Sequence, residues 1–493
     1  MPSSKSFAIA PADDAPLDQV FGRQLRSHPG KSGVGLLPDG GDAFALRAMS
    51  ARAAKRGIDA QYYIWHNDTT GRFLAGELLA AADRGVRVRA LLDDMDARSR
   101  DSVLMALNRH PGIEIRLFNP FAIRSGMLRT VVDVFSRGSR LNRRMHNKSW
   151  IVDGRMAIVG GRNIGDEYFS ASDAVNFVDL DVVLAGAAVD QAASAFDRYW
   201  NDEASVPIER LRRTGRGKLS LDELRAVLTA ETKAMEQSPY TRRLRESPRL
   251  ESLLAGDVQL QWSDDVQVVA DDPRKVTGDR KLLQPGVLES IIDAISATQN
   301  ELLLISPYFV PGAGGTAALR DLVRKGVQVA VLTNSLAATD VAAVHSGYSR
   351  YRTSLLEGGV KLHELKPTAV DEVRHPRLRL GSSRASLHTK AVVVDRQRFF
   401  VGSFNLDPRS ADLNCEMGAW IASDVLAAQM RRLFATGTAL QRSFKVTLDE
   451  SERPRWTEML GDKTIHHDKD PHASWARRAV TWVLQLLPIE SQL

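Results

Sequence analysis

Cysteine is almost missing: Cys415 is the single one in 493 residues. No intramolecular disulfide can form and no cysteine-rich metal site exists, which fits a reducing compartment. Long apolar runs are missing too. No stretch reaches the roughly 18 apolar residues of a membrane span. The first apolar stretch, Phe7 to Ala10, is ended by Pro11 and followed by Asp13 and Asp14. It is too short for a signal-peptide core. Charge of one sign is not in large excess. Lysine plus arginine number 66 against 60 acidic residues, a net charge of +6, which does not by itself imply nucleic acid. Aromatic residues are only 6%, few for a groove that stacks bases.

What is present is globular in character. Hydrophobic residues make up 43% and charged residues 26%. At about 100–200 residues per domain, the length holds two to four domains.

The chain repeats itself. IDAQYYIW, a helical stretch and RGVRVRALLDD in the first half match ELLLISPYFV, a helical stretch and KGVQVAVLTNS in the second. Each reads as strand, helix, strand, with Gly85 and Gly326 as helix stops. This alternation predicts an α/β sandwich with mostly parallel strands. A further strand follows each unit, IEIRLFNP and VKLHELKP. The polar stretch from about 201 to 285 reads as a linker with some helix.

The chemistry-bearing motifs recur at the same offsets. HNKSWIVDGRMAIVGGRN supplies His146, Lys148, Asp153, Gly160, Gly161 and Asn163; HTKAVVVDRQRFFVGSFN supplies His388, Lys390, Asp395, Gly402, Ser403 and Asn405. In a strand, His and Lys at i and i+2 share a face. The small residues Gly161 and Ser403 let a phosphate oxygen approach the backbone, and Asn163 and Asn405 can donate to it. Such a set suits phosphodiester chemistry. Lysines neutralise phosphate charge, one imidazole attacks phosphorus, and a second protonates the leaving alcohol. No metal or other cofactor is needed. One motif holds one histidine, so the mechanism calls for both motifs at one interface.

The paired motifs resemble the phospholipase D superfamily from about Ala43 to Arg442. The resemblance implies two tandem α/β sandwich domains about a pseudo-twofold axis and a covalent phosphohistidine. His146 is then the preferred nucleophile and His388 the acid/base, although the near-symmetry of the motifs leaves the order open. It also implies a carboxylate after each motif that orients a histidine. Glu416 fits in LNCEMGAW, on either His146 or His388, and Asp179 is favoured over Asp181 in VNFVDLDVVL. Asp153 and Asp395 belong to the catalytic motif, but in this family they usually support structure; an Asp at such a turn commonly bonds the local backbone.

Within the superfamily, NRRMHNKSWIVDGRMAIVGGRNIGDEYF is similar to bacterial cardiolipin synthases. The C-type branch is most similar and the B-type branch a near competitor. This implies transfer of a phosphatidyl group, from phosphatidylglycerol or phosphatidylethanolamine, to phosphatidylglycerol. Phospholipid hydrolysis is the alternative, and nucleic-acid phosphodiester cleavage a more distant one. The expected partner is an anionic phospholipid membrane, with no nucleic acid; the sequence names no accessory protein. The expected location is peripheral, on the cytoplasmic face of the bacterial inner membrane.

Two segments suit lipid docking. NPFAIRSGMLRTVVDVFSRGSRLNRR mixes apolar and arginine residues before the first motif. SWARRAVTWVLQLLPIE sets Trp475, Val480, Trp482 and Val483 near Arg477 and Arg478, as an interfacial or a core-packed helix. His66 and His345 are candidate pocket residues with a structural default. His466 and His467 read as surface loop, and Cys415 as a buried filler. The expected organisation is an N-terminal segment over 1–42, domains over 43–205 and 286–442, a linker over 206–285, and a C-terminal segment over 443–493.

Overall fold

The computed structural model describes residues 4–12, 15–97, 100–121, 142–211, 219–246, 259–277, 285–367 and 384–485. They form two compact units. The first comprises Met1–Ala171, Asp181–Gly286 and Leu413–Ala419. The second comprises Ser172–Leu180, Val287–Asp412 and Trp420–Leu493. Each unit thus takes in a short piece from the far half of the chain.

The first six strands are β1 (Ser32–Leu37), β2 (Gly57–Tyr62), β3 (Arg87–Asp93), β4 (Ile113–Phe118), β5 (Ser149–Val152) and β6 (Met156–Gly160). After β7 (Val175–Val178), which belongs to the second unit, come β8 (Asp181–Gly186), β9 (Ser205–Pro207), β10 (Gln261–Ser263) and β11 (Val266–Ala270). The sheet of the first unit runs β10-β1-β8-β6-β5-β2-β3-β4-β9. The later strands are β12 (Glu301–Ile305), β13 (Gln328–Asn334), β14 (Lys361–Leu365), β15 (Arg384–Leu387), β16 (Ala391–Val394), β17 (Arg398–Gly402), β18 (Met417–Ala422), β19 (Ser443–Leu448), β20 (Pro454–Leu460) and β21 (Lys463–His467). Apart from β15, which pairs with β7, they run β18-β17-β16-β12-β13-β14-β19-β20-β21. The stretch β8-β6-β5-β2-β3-β4-β9 and the stretch β18-β17-β16-β12-β13-β14-β19 place equivalent strands in the same order. The sequence repeat is therefore a repeat of topology.

The helices stop where the glycines predict. Helix Thr69–Asp83 starts on Asp68, whose side chain accepts the Gly71 N–H, and ends before Gly85 at φ +90°. Helix Gly312–Arg324 ends before Gly326 at φ +92°. In both, the next residue closes the turn: Val86 N–H donates to Ala81 at 3.1 Å and Val327 N–H to Leu322 at 3.0 Å. Glycine tolerates this left-handed backbone because it has no Cβ.

The expected parallel pairing is found in β2-β3-β4 and β12-β13-β14, and again between β7 and β15. The sheets are mixed because β5–β6 and β16–β17 are tight antiparallel hairpins. Their turn residues all lie in the left-handed region: Asp153 and Gly154 at φ +53° and +65°, Asp395 and Arg396 at +50° and +66°. Two such residues make the turn that matches strand twist.

The linear boundaries read from the sequence differ from these units. Residues 1–42 and 206–285 supply β1, β10, β11 and helix Leu221–Glu236 to the first unit, and 443–493 supplies β19, β20 and β21 to the second. β10, β11 and β21 have only three to five residues and the surrounding stretches are charged, so composition alone reads them as connectors.

Asp153 and Asp395 occupy equivalent places. Asp153 accepts the backbone N–H groups of Lys55, Arg56 and Gly57 at 2.8–2.9 Å. Asp395 accepts those of Gln299, Asn300 and Glu301 at 2.6–3.2 Å. Each carboxylate thus holds the loop that opens β2 or β12. Replacing Asp153 with alanine strips three donors at once. A buried unsatisfied donor costs about 1–3 kcal/mol, so Asp153→Ala is expected to lower stability by about 3 kcal/mol, read from urea unfolding.

Candidate active site

Each motif histidine is placed by backbone pairing with a segment distant in sequence. In the first unit, Met145 forms a parallel bridge with Cys415. His146 N–H donates to the Cys415 carbonyl at 2.8 Å, and Cys415 N–H to the Arg144 carbonyl at 2.8 Å. This brings the next residue, Glu416, against the imidazole: Glu416 Oε2 lies 2.9 Å from His146 Nδ1. In the second unit, β7 pairs in parallel with β15. His388 and Thr389 N–H both donate to the Val178 carbonyl, at 2.8 and 3.0 Å. Asp179 Oδ2 then lies 2.6 Å from His388 Nδ1. Glu416 and Asp179 are buried, while each histidine keeps a small exposed edge.

A carboxylate at Nδ1 holds the proton there, so the Nε2 lone pair is left for nucleophilic or acid–base work. The choice between Asp179 and Asp181 is also decided. Asp181 lies in the first unit, where Oδ2 pairs with Arg47 at 2.9 Å and Oδ1 accepts Arg162 N–H at 3.2 Å.

Lys148 and Lys390 are 1% exposed. Each ammonium donates to the carbonyl of its own motif histidine, and Lys390 Nζ also lies 2.9 Å from His388 Nδ1. Burying an ammonium is costly unless it is paired and hydrogen-bonded. The His-x-Lys residues do not lie inside a strand as expected: β5 opens at Ser149 and β16 at Ala391. They occupy the run just before it, where the backbone pairs with Cys415 or Val178.

Gly161, Ser403, Asn163 and Asn405 are all buried. The Asn163 amide is partly engaged: Oδ1 accepts Ile64 N–H at 3.2 Å and Nδ2 donates to the Tyr168 hydroxyl at 2.9 Å. Asn405 receives no such clamp; its backbone N–H donates to Ser410 Oγ at 3.2 Å. Among the described residues its Oδ1 is buried without a partner.

Sequence reading missed a further pair. Asp93 ends β3 and Asn334 ends β13. Asp93 Oδ2 accepts the N–H of Met145 at 2.9 Å, and Asn334 Oδ1 accepts that of Leu387 at 2.8 Å. Each secures the residue just before a motif histidine. Aligning RALLDD on AVLTNS sets the two in register, which was the available signal. Aromatic rings were also missed. Tyr63 lies edge-on to His146 and Phe177 tilted to His388, each with ring centroids 5.1 Å apart.

Burial pushes the Asp93 carboxyl up to about 6, against the lowering pull of Arg144 and of the Met95 and Met145 N–H groups. A folded-state value above the unfolded one means protonation favours folding. The Asp93 contribution is full below about pH 4 and is lost as pH climbs through about 6. The unfolding free energy of wild type relative to Asp93→Asn should therefore fall between these pH values and level off above, as denaturant titrations across pH would register.

The remaining candidates have partners of their own. His66 faces Glu167 at 3.0 Å, and that hydrogen bond raises its pKa. His345 is buried against Asp470 at 3.3 Å and Arg352 at 2.9 Å. Burial pushes the Cys415 thiol up, as expected of an inert filler. Among the described residues, the side chains close enough to share one metal ion are His66–Asp68–Glu167 and Glu458–His467–His472. Neither group includes a motif histidine.

Of the basic segment before the first motif, residues 122–141 lie outside the described residues. Arg144 is turned inward, paired with Asp93 at 3.4 Å. At the other end, helix Trp475–Gln485 forms. Thr481 is buried, while Trp475 and Trp482 are 77% and 63% exposed, with Val480 and Val483 beside them. Arg477 donates to the Thr339 carbonyl and Arg478 to that of Asp470, so these arginines tie the helix down. No helix among the described residues is long and apolar enough to cross a membrane.

Comparison with known proteins follows the same outline. A family model described as cardiolipin synthase, PLD-like domain, matches residues 49–200 and 291–437. Cardiolipin synthase C of Escherichia coli (strain K12) is 42% identical, over 94% of this chain and 96% of its own. The major cardiolipin synthase of Bacillus subtilis (strain 168) is 26% identical, over 86% of this chain and 72% of its own. Among solved structures, phosphatidylserine synthase of Haemophilus influenzae Rd KW20 shares the fold, with a TM-score of 0.60 at 13% identity. That match covers 97% of this chain and all of the other.

Proposed function

The chain belongs to the cardiolipin synthase family with phospholipase D-like domains, and on that premise we propose that His146 and His388 pass a phosphatidyl group from one phospholipid to another. The observation that carries this reading is the matched carboxylate at Nδ1 of each histidine. Nε2 of His146 attacks phosphorus of the donor lipid. The leaving alcohol takes a proton from His388 as the P–O bond breaks, leaving a phosphatidyl–histidine. His388 then draws the proton from a hydroxyl of phosphatidylglycerol, whose oxygen attacks phosphorus and releases His146. Lys148 and Lys390 offset the charge on the phosphate oxygens, and Asn163, Asn405, Gly161 and Ser403 line the approach to them. Glu416 and Asp179 orient the histidines. Asp153 and Asp395 act through the loops they hold.

Donor and acceptor are proposed from the resemblance to cardiolipin synthases. Phosphatidylglycerol serves as acceptor, and phosphatidylglycerol or phosphatidylethanolamine as donor. Labelled phosphatidylglycerol, with and without phosphatidylethanolamine, tests the scheme by lipid analysis. Cardiolipin is the expected product. Phosphatidic acid in its place would mark a hydrolase, and neither product would refute the assignment.

The enzyme must reach lipid, and helix Trp475–Gln485 offers an apolar surface suited to the interface of an anionic bilayer on the cytoplasmic side of the inner membrane. Trp475→Ser with Trp482→Ser is expected to reduce co-sedimentation with phosphatidylglycerol vesicles several-fold. Unchanged sedimentation would exclude this helix as the anchor.

A further inference from the structure

Outside the two motifs, two histidines and a carboxylate converge at the end of the second unit. Glu458 lies on β20 and His467 on β21. The register pairs Trp456 with His467, so Glu458 and His467 are diagonal neighbours on one face of the hairpin. His472 comes from the turn after β21, in the left-handed region at φ +58°, an uncommon backbone for a residue other than glycine. Both imidazoles aim Nε2 at one oxygen: His467 lies 2.8 Å and His472 3.0 Å from Glu458 Oε1. The other oxygen, Oε2, pairs with Lys366 at 2.7 Å. The Phe444 ring walls the group, 6.3 Å from the His467 ring and 5.4 Å from that of His472. His466 points elsewhere, with Nδ1 3.0 Å from Thr457 Oγ1.

We propose that Glu458, His467 and His472 form a binding site for a zinc-class divalent cation that fastens the C-terminal hairpin to the turn before helix Trp475–Gln485. Two imidazoles and one carboxylate are a donor set zinc accepts, at bond lengths of about 2.0–2.2 Å. Tetrahedral bonds of that length set neighbouring ligand atoms about 3.3 Å apart, so the observed spacings need to open by only a few tenths of an ångström. Metal binding shifts each imidazole proton from Nε2 to Nδ1. Lys366 stays on the second carboxylate oxygen, as an outer-shell partner that orients a ligand. The histidine side chains are partly exposed, which leaves a path for the ion and a fourth position for water. The site lies apart from the motif residues and serves stability, not the transfer step.

The test uses the full chain, stripped with chelator and dialysed against zinc alone. Wild type is expected to take up a tightly held equivalent and to show a higher Tm with zinc than without. His467→Asn and His472→Asn should each weaken that binding by more than the roughly 10–100-fold that loss of an outer-shell partner costs, and abolish the Tm gain. His466→Asn and His66→Asn should leave both unchanged. The proposal is overturned if wild type binds no zinc tightly, or if the His467→Asn and His472→Asn proteins, folded by circular dichroism, bind it as wild type does.

Discussion

His146→Ala and His388→Ala are each expected to lower cardiolipin formation by about 10⁴-fold or more. A lost nucleophile removes the covalent route altogether, and a positioned acid–base group contributes typically 10²–10⁴-fold. The two variants differ in a way that assigns the roles. A donor with a good leaving group needs no proton, so His388→Ala should still accumulate label on the protein from such a donor, and His146→Ala should not. The opposite pattern would exchange the two roles; label on neither would reject the covalent route. Each variant takes a partner from a buried carboxylate, Glu416 or Asp179, which costs stability, so activity is compared on protein shown to be folded by circular dichroism.

Glu416→Gln and Asp179→Asn come next in size. Each replaces a carboxylate at a histidine Nδ1 with a group that supports the wrong tautomer, and losses in kcat on the order of 10²–10⁴-fold are expected. KM should change far less, since neither carboxylate is placed against lipid. Adding Glu416→Gln to His146→Ala should cost nothing further, as residues acting as one unit are not additive. Asp181→Asn is the contrasting case. It breaks a buried pair with Arg47, so its cost is expected in stability, about 3–5 kcal/mol. A large kcat loss in a fully folded Asp181→Asn protein would contradict this division of labour.

The crossed pairing also explains what each level of description could reach. His146 and Glu416 are 270 residues apart, and His388 and Asp179 are 209 apart. Local patterns reached the helices, because apolar spacing and Gly85 or Gly326 act within a single turn. They reached the chemical groups too, because the two motifs repeat at matched offsets. They misread the sheet as mostly parallel, since runs such as AVVV carry no information about strand direction. They also missed Asp93 and Asn334, whose role depends on a strand distant in sequence.

The amino-acid sequence by itself determined the duplication, the α/β units and the His, Lys and Asn groups of both motifs. Tertiary structure decided which carboxylate serves which histidine. Glu416, open to either ring from the sequence, meets His146 through the Met145–Cys415 bridge; Asp179, and not Asp181, meets His388 through β7 and β15. The physical reason is that a residue's neighbours across a ladder are set by register between distant strands, and register is a property of the folded sheet.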